Sequence, residues 1–240
     1  MNQITTTEST TTAPTVIFIT GTDTDIGKTV TTAALAASFA AAGTSVAAYK
    51  PTQTGVSRAE PGDMDQVRWL SSIPIAAEGI RLSAAMAPVA AAELENRRLP
   101  SLAKHVETIS ALARSHSVVL VEGAGGLLVE MDEQAHTLAD LAASVKDVAR
   151  VLIVLVCRSG LGTLNHTQLT LEALAHRGLP ATGLIIGSWP ESPTEIEQGN
   201  RRYLDSLPVP LLGALPAGAA ALTPDAFQKR ITSYLQLPTD

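Results

Sequence analysis

Short, β-branched apolar runs alternate along this chain with alanine- and leucine-rich stretches of helical spacing, and turn residues stand between them. The run VIFIT at 16–20 leads at once into a glycine-containing loop, as a buried strand does. Beyond that loop, KTVTTAALAASFAAAG puts Val30, Ala34, Leu35, Ser38 and Phe39 near one helical face, with Gly43 where a C-terminal cap belongs. The alternation then predicts a strand at 45–50, a polar region, a helix near 101–115 and a strand at 117–125. A helix near 137–146, a strand at 148–156, a helix near 165–177 closed by Gly178, and a strand at 182–188 follow. A helix near 194–206, a short strand within 208–216 and a terminal helix complete the pattern. Strands and helices alternating this regularly imply right-handed crossovers and an α/β fold: a mostly parallel sheet of about seven strands with helices on both faces. No repeat or linker interrupts it, so residues 15–240 are expected to form one domain behind a disordered tail, MNQITTTESTTTAP at 1–14.

Composition narrows the class. Hydrophobic residues make up 45% of the chain, ample for a core, while only 3% are aromatic, which suits thin strands and close helix-on-sheet packing. A net charge of −6 without any basic run speaks against a protein that binds nucleic acid through its phosphates. The tail has neither a basic start nor an apolar centre, and no stretch is long and apolar enough to span a membrane, so a cytoplasmic protein is expected. Cys157, the only cysteine, sits in the apolar run VLIVLVC and reads as a buried, inert thiol. The five histidines lack the spacing of a structural transition-metal site.

The chemistry begins at GTDTDIGKTV, residues 21–30. Phosphate loops usually run G-x-x-x-x-G-K-[ST]; here Gly27, Lys28 and Thr29 fit the second half, but Gly21 stands one residue too early. The strand before and the helix after supply the right context. Free N–H groups at the helix start favour an anion, Lys28 can reach the outer phosphates, and the Thr29 hydroxyl is left for Mg²⁺. Open parallel sheets gather ligands beyond the carboxyl ends of their strands, and four polar segments are expected there: 24–29, 50–54, 122–126 and 160–165. Glu122 ends the apolar run VVLV and needs a cation to offset its burial, which Mg²⁺ held between it and Thr29 would provide. Lys50, pinned by Pro51, would bring a second positive charge beside the phosphates.

The blocks GTDTDIGKT, KPTQTG, VEGAGG and LGTLNHTQLT, in this order across residues 21–170, together with LLGALPAG at 211–218, resemble the dethiobiotin synthetase family. The displaced first glycine is normal spelling there. The resemblance implies a P-loop NTPase-like fold and a Mg²⁺-dependent ligase. It would join 7,8-diaminononanoate and CO₂ at the expense of ATP or another nucleoside triphosphate, with no nucleic-acid or membrane partner. It also implies roles. Thr24 would face the substrate amines, Lys28 and Lys50 would stabilise the carbamate and the transferring phosphoryl group, and Thr54 would contact substrate. Thr29, Asp63 and Glu122 would hold Mg²⁺. Asp65 competes with Asp63 within PGDMDQVRWL, but Asp63 is followed by Met64, Val67 and Leu70 on one helical face. The nucleotide would lie against Asp25, Ile26, Gly27, Lys28, Thr29, Val30, Gly123, Ala124 and Gly125, and against Gly187, Ser188, Pro216, Ala217 and Gly218. Gly160, Leu161, Gly162, Thr163 and Asn165 would hold the substrate carboxylate of a neighbouring subunit in a homodimer. One departure stands out: family members commonly place Asn-Asp where this chain has Gly187 and Ser188, which removes an amide able to read adenine. Trp189 beside them is either a stacking platform or a core plug. A nucleotide-switched positioning ATPase of related fold is the alternative, but it would expect a lysine early in the loop, where Asp23 and Asp25 stand.

Overall fold

The computed structural model describes residues 13–239, so the tail expected to be disordered lies outside the described residues except for Ala13 and Pro14. The Pro14 carbonyl accepts from the Arg150 amide at 3.0 Å, which ties that end to the sheet. In chain order the elements are β1 (Thr15–Gly21), α1 (Lys28–Ala41), β2 (Val46–Gln53), α2 (Asp63–Ser71) and β3 (Ile75–Arg81). Next come α3 (Pro88–Leu94), α4 (Leu102–Ala113), β4 (Val118–Gly126), α5 (Leu138–Val145) and β5 (Arg150–Cys157). The chain continues through α6 (Thr163–His176), β6 (Gly183–Trp189), α7 (Glu195–Asp205), β7 (Leu211–Pro216) and α8 (Pro224–Ile231).

All seven strands join one sheet in the order β3-β2-β4-β1-β5-β6-β7. Every pairing is parallel. β1 therefore lies at the centre, and all carboxyl ends open onto one rim. Its residues alternate between two cores. Ile17 and Ile19 pack with Leu35 of α1, Met64, Val67 and Leu70 of α2 and Phe227 of α8. Val16 and Phe18 face the other way, against Ile109 of α4, Leu141 of α5 and Leu174 of α6. Two buried faces explain why the central strands read as continuous apolar runs, each such side chain contributing about 1.5–3 kcal/mol by burial.

The polar region after residue 50 hides more than its composition suggests. It holds α2, the edge strand β3 and α3. β3 runs IAAEGIR, and only Ile80 in it is buried, because an edge strand has a neighbour on one side alone. Its pattern is therefore neither a continuous run nor a clean alternation. α6 also starts two residues earlier than expected, at Thr163, since Gly162 at φ 87° can cap it in the left-handed region.

Candidate active site

The loop leaving β1 turns back sharply to start α1. Asp25 takes φ 54° and Gly27 φ 94°, and Gly27 caps α1 without any side-chain hydrogen bond. The first N–H groups of α1 are thus left for a ligand, and the positive end of the helix dipole faces the cleft. Gly187 makes this course of the loop possible. A Cβ there would collide with the Ile26 carbonyl oxygen, and one on Gly27 would press on the Gly187 carbonyl, so loop and β6 run backbone against backbone. Lys28 Nζ donates to the Asp23 carbonyl at 2.7 Å. The Asp23 carboxylate is gripped by Arg158 at 2.6 Å. Burial lowers the Lys28 pKa below the usual lysine value; Glu122 opposes that shift and nearby Lys50 adds to it.

At the heart of the rim, Glu122 is fully buried and carries three donors. Thr29 Oγ1 donates to its Oε1 at 2.9 Å, Thr32 Oγ1 to its Oε2 at 2.8 Å, and Lys50 Nζ to its Oε1 at 2.7 Å. Lys50 also forms an ion pair with Asp63. Within the protein, Lys50 is a cation that offsets the burial of Glu122. Burial pushes the Lys50 ammonium down, but Glu122 and Asp63 outweigh it and hold its pKa above the usual lysine range. Lys50 is thus shared between two carboxylates at the floor of the cleft.

The two aspartates of α2 part company. Asp63 is its first residue and turns to Lys50, whereas Asp65 closes a capping box on the Gly62 amide at 2.9 Å and pairs with Arg68 and Arg81. Met64, Val67 and Leu70 form the buried face of α2, as their spacing predicts. A cleft of about 840 Å³ opens above, lined among others by Thr24, Asp25, Gly27, Lys28, Thr29, Val30, Lys50, Thr54, Asp63, Glu122, Ala124 and Gly125. That volume suits a nucleotide and a small substrate together. Ile26 and Gly123 are buried behind it.

Other predicted residues stay outside this cleft. Gly160, Leu161, Gly162, Thr163 and Asn165 form the turn into α6 above β5; Leu161 and Asn165 are exposed, and the Thr163 hydroxyl is buried without a partner. Ser188 is exposed at the end of β6, beside the Pro216–Gly218 turn, where the Ala217 amide donates to the Trp189 carbonyl at 2.7 Å. Trp189 is half-buried against Leu204 and its neighbours, with the Arg201 guanidinium 5.1 Å from its ring centre. Cys157 is buried beside Thr167, and burial pushes its thiol up to about 11. Sequence reasoning passed over Thr32, Gln53, Arg81 and Arg158. Thr32 was discoverable, because TVTT repeats a hydroxyl at i and i+3 on one helical face toward Glu122.

A family model described as an AAA domain matches residues 15–223. An ATP-dependent dethiobiotin synthetase of Mycobacterium avium is 48% identical over 214 residues, covering 89% of this chain and 92% of the relative. Its counterpart in Rhodococcus jostii is 45% identical over 216 residues, 88% of this chain and 90% of the relative. That of Streptomyces coelicolor is 44% identical over 226 residues, 94% and 93% of the two chains. Among solved structures, the Aquifex aeolicus MinC:MinD cell division complex aligns with a TM-score of 0.53 at 15% identity, over 93% of this chain and 86% of the other. The signal recognition particle receptor FtsY of Elizabethkingia anophelis does so with a TM-score of 0.53 at 17% identity, over 91% and 64%. These last two are likenesses of fold alone.

Proposed function

The chain belongs to the dethiobiotin synthetase family, ATP-dependent ligases that form C–N bonds, and we propose that the cleft beside its phosphate loop joins 7,8-diaminononanoate to CO₂. One amine takes up CO₂ as a carbamate and releases a proton. A carbamate oxygen attacks the γ-phosphoryl group of the nucleotide, expelling the nucleoside diphosphate and leaving a carbamic-phosphoric anhydride. The second amine then attacks the carbonyl carbon, and phosphate departs as the ring closes. The observation that carries this reading is the joining of Lys50, Asp63, Glu122 and Thr29 within one cleft at the start of α1.

Lys28 and the α1 amides hold the outer phosphates, while Lys50 lies where negative charge builds on the carbamate and the transferring phosphoryl group. Thr24 and Thr54 orient the amines; the chain's contribution is placement and charge, with no covalent enzyme intermediate. The donor set of two carboxylates and a hydroxyl is all oxygen, which fits a hard divalent cation. Thr29, Asp63 and Glu122 would hold Mg²⁺, whose chemistry there is to neutralise phosphate charge. The substrate carboxylate lies at the Gly160–Asn165 turn of a neighbouring subunit in a homodimer, and the protein works in the cytoplasm. Phosphate release tests the reading. It should require 7,8-diaminononanoate, CO₂, Mg²⁺ and nucleoside triphosphate together, in equal amount to dethiobiotin formed. Release that ignores the diamine would point instead to a nucleotide-switched ATPase.

A further inference from the structure

Asp63 owes its place to two residues that touch neither phosphate loop nor Glu122. Gly62, the N-cap of α2, has no side chain with which to satisfy the helix start. The Asp63 amide is instead taken by Gln53 Oε1 at 2.9 Å, and the Gln53 amide group is oriented by donating to the Thr54 carbonyl at 3.0 Å. Gln53 is almost wholly buried. Its register partner on the neighbouring strand is Arg81, the last residue of β3.

The Arg81 guanidinium spends its donors on three segments at once. Nε and Nη2 each bind Glu78 at 2.7 Å, Nη2 also reaches Asp65 Oδ2 at 3.0 Å, and Nη1 donates to the Glu60 carbonyl at 2.6 Å. It thereby joins the edge strand, the first turn of α2 and the loop that leads into it. Only the planar fork of an arginine can face a carboxylate with two donors and still offer a third nitrogen behind them.

We infer that Gln53 and Arg81 are positioning residues: from adjacent register positions they fix the first turn of α2 so that the Asp63 carboxylate faces Lys50 and Glu122. The two grips are complementary. Gln53 sets where the helix begins, and Arg81, through Asp65 two residues on in the same first turn, stops the helix from rolling about that point. The inference rests on the reading of Asp63 as a magnesium ligand, since the position of a ligand matters only if it ligates. Residues one shell behind a metal ligand are worth about 10- to 100-fold in metal affinity or activity.

The test is Mn²⁺ binding followed by electron paramagnetic resonance, on full-length protein with a non-hydrolysable nucleoside triphosphate, well below the melting temperature of every variant. Arg81→Met and Gln53→Ala should each weaken Mn²⁺ binding by about tenfold or more. Nucleotide affinity in the presence of a chelator should stay within about twofold of wild type, because Lys28 and the α1 amides are untouched. Arg81→Lys should recover little, since an ammonium cannot span the same partners. Should Arg81→Met fail to fold, Arg81→Lys and Asp65→Asn serve in its place, with weakened Mn²⁺ binding expected from both. Asp63→Asn is the reference. If it leaves Mn²⁺ binding unchanged, the metal assignment itself is wrong and this inference falls with it. If Asp63→Asn weakens binding while the Arg81 and Gln53 variants do not, the metal assignment stands and the positioning role is overturned.

Discussion

The carboxyl rim of the sheet has two unlike halves. Over β2, β4 and β1, Lys50, Asp63, Glu122, Thr29 and Thr32 answer one another's charges and hydrogen bonds within a single chain. Over β5, β6 and β7, the Gly160–Asn165 turn, Ser188 and the Pro216–Gly218 turn leave Leu161, Ser188, Ala217 and Gly218 exposed. A buried charge in an incomplete setting costs several kcal/mol, so the first half had to be complete in the folded chain. Exposed neutral groups cost little to leave waiting, so the second half can be finished by a ligand or a second subunit. An ion pair of Asp23 with Arg158 bridges the two halves.

The sharpest way to break this contrast is to remove the lysines of the first half. Lys28→Ala and Lys50→Ala should each cost about two to three powers of ten in turnover, the usual loss for a donor that stabilises transition-state charge. Their effects on folding should differ. Lys28 bonds a backbone carbonyl, so its loss leaves no orphaned carboxylate. Lys50→Ala strands the fully buried Glu122, and denaturant melts without metal should show about 3–5 kcal/mol of destabilisation. Near-native turnover in either variant removes that lysine from the mechanism, and equal stability of the two would mean that Glu122 is not held by Lys50.

The same contrast explains what the sequence made legible. Central strands announced themselves, and β1, β2, β4, β5 and β6 overlap predicted runs, although β2 continues to Gln53, past the expected end at residue 50; the edge strand β7 also lies within a predicted run. β3 was not legible, because its sequence IAAEGIR carries Glu78 and Arg81 where the central strands carry apolar residues. The phosphate loop was readable since its glycines and lysine obey local backbone rules. Partnerships between distant segments were not: nothing in the spacing of Asp63 and Asp65 says that Arg81, sixteen residues beyond the second, will claim it. Nor could composition say that Lys50 would be drawn down between two carboxylates, which depends on register between β2 and β4 and on the start of α2.

A second experiment sharpens the contrast by asking whether another subunit completes the open half. Lys28→Ala is expected to lose activity through its phosphate loop, and a variant with a bulky insertion within 161–165 is expected to lose it through its turn. Mixed under exchanging conditions, a twofold dimer with shared sites forms one whole site per mixed dimer. Random mixing makes about half the dimers mixed, so activity should return to about a quarter of wild type. If exchange is verified and the mixture stays as inactive as its parents, or if a fully active monomer sediments, the turn does not serve a partner's site.

The smallest expected effect concerns the nucleotide base. A hydrogen-bonded amide reading a base can discriminate by about 10⁴-fold, because the wrong base leaves buried polar groups unpaired. This chain offers no such amide at Gly187, and the contact with the phosphate loop explains why a larger residue is not accommodated there: any side chain would displace the Ile26 carbonyl. Ser188 is exposed and offers only a hydroxyl. A hydroxyl both donates and accepts, so it can meet the amino edge of one base or the carbonyl edge of another. Competition among ATP, CTP and GTP at limiting concentration should therefore give a weak preference for ATP or a preference for another base. Gly187→Asn should not restore adenine selection; it should weaken binding of all three nucleotides together by pushing the loop off β6. Strong selection for ATP in the unaltered protein, on the order of 10⁴-fold, would show that other groups on the open half already form a complete base pocket.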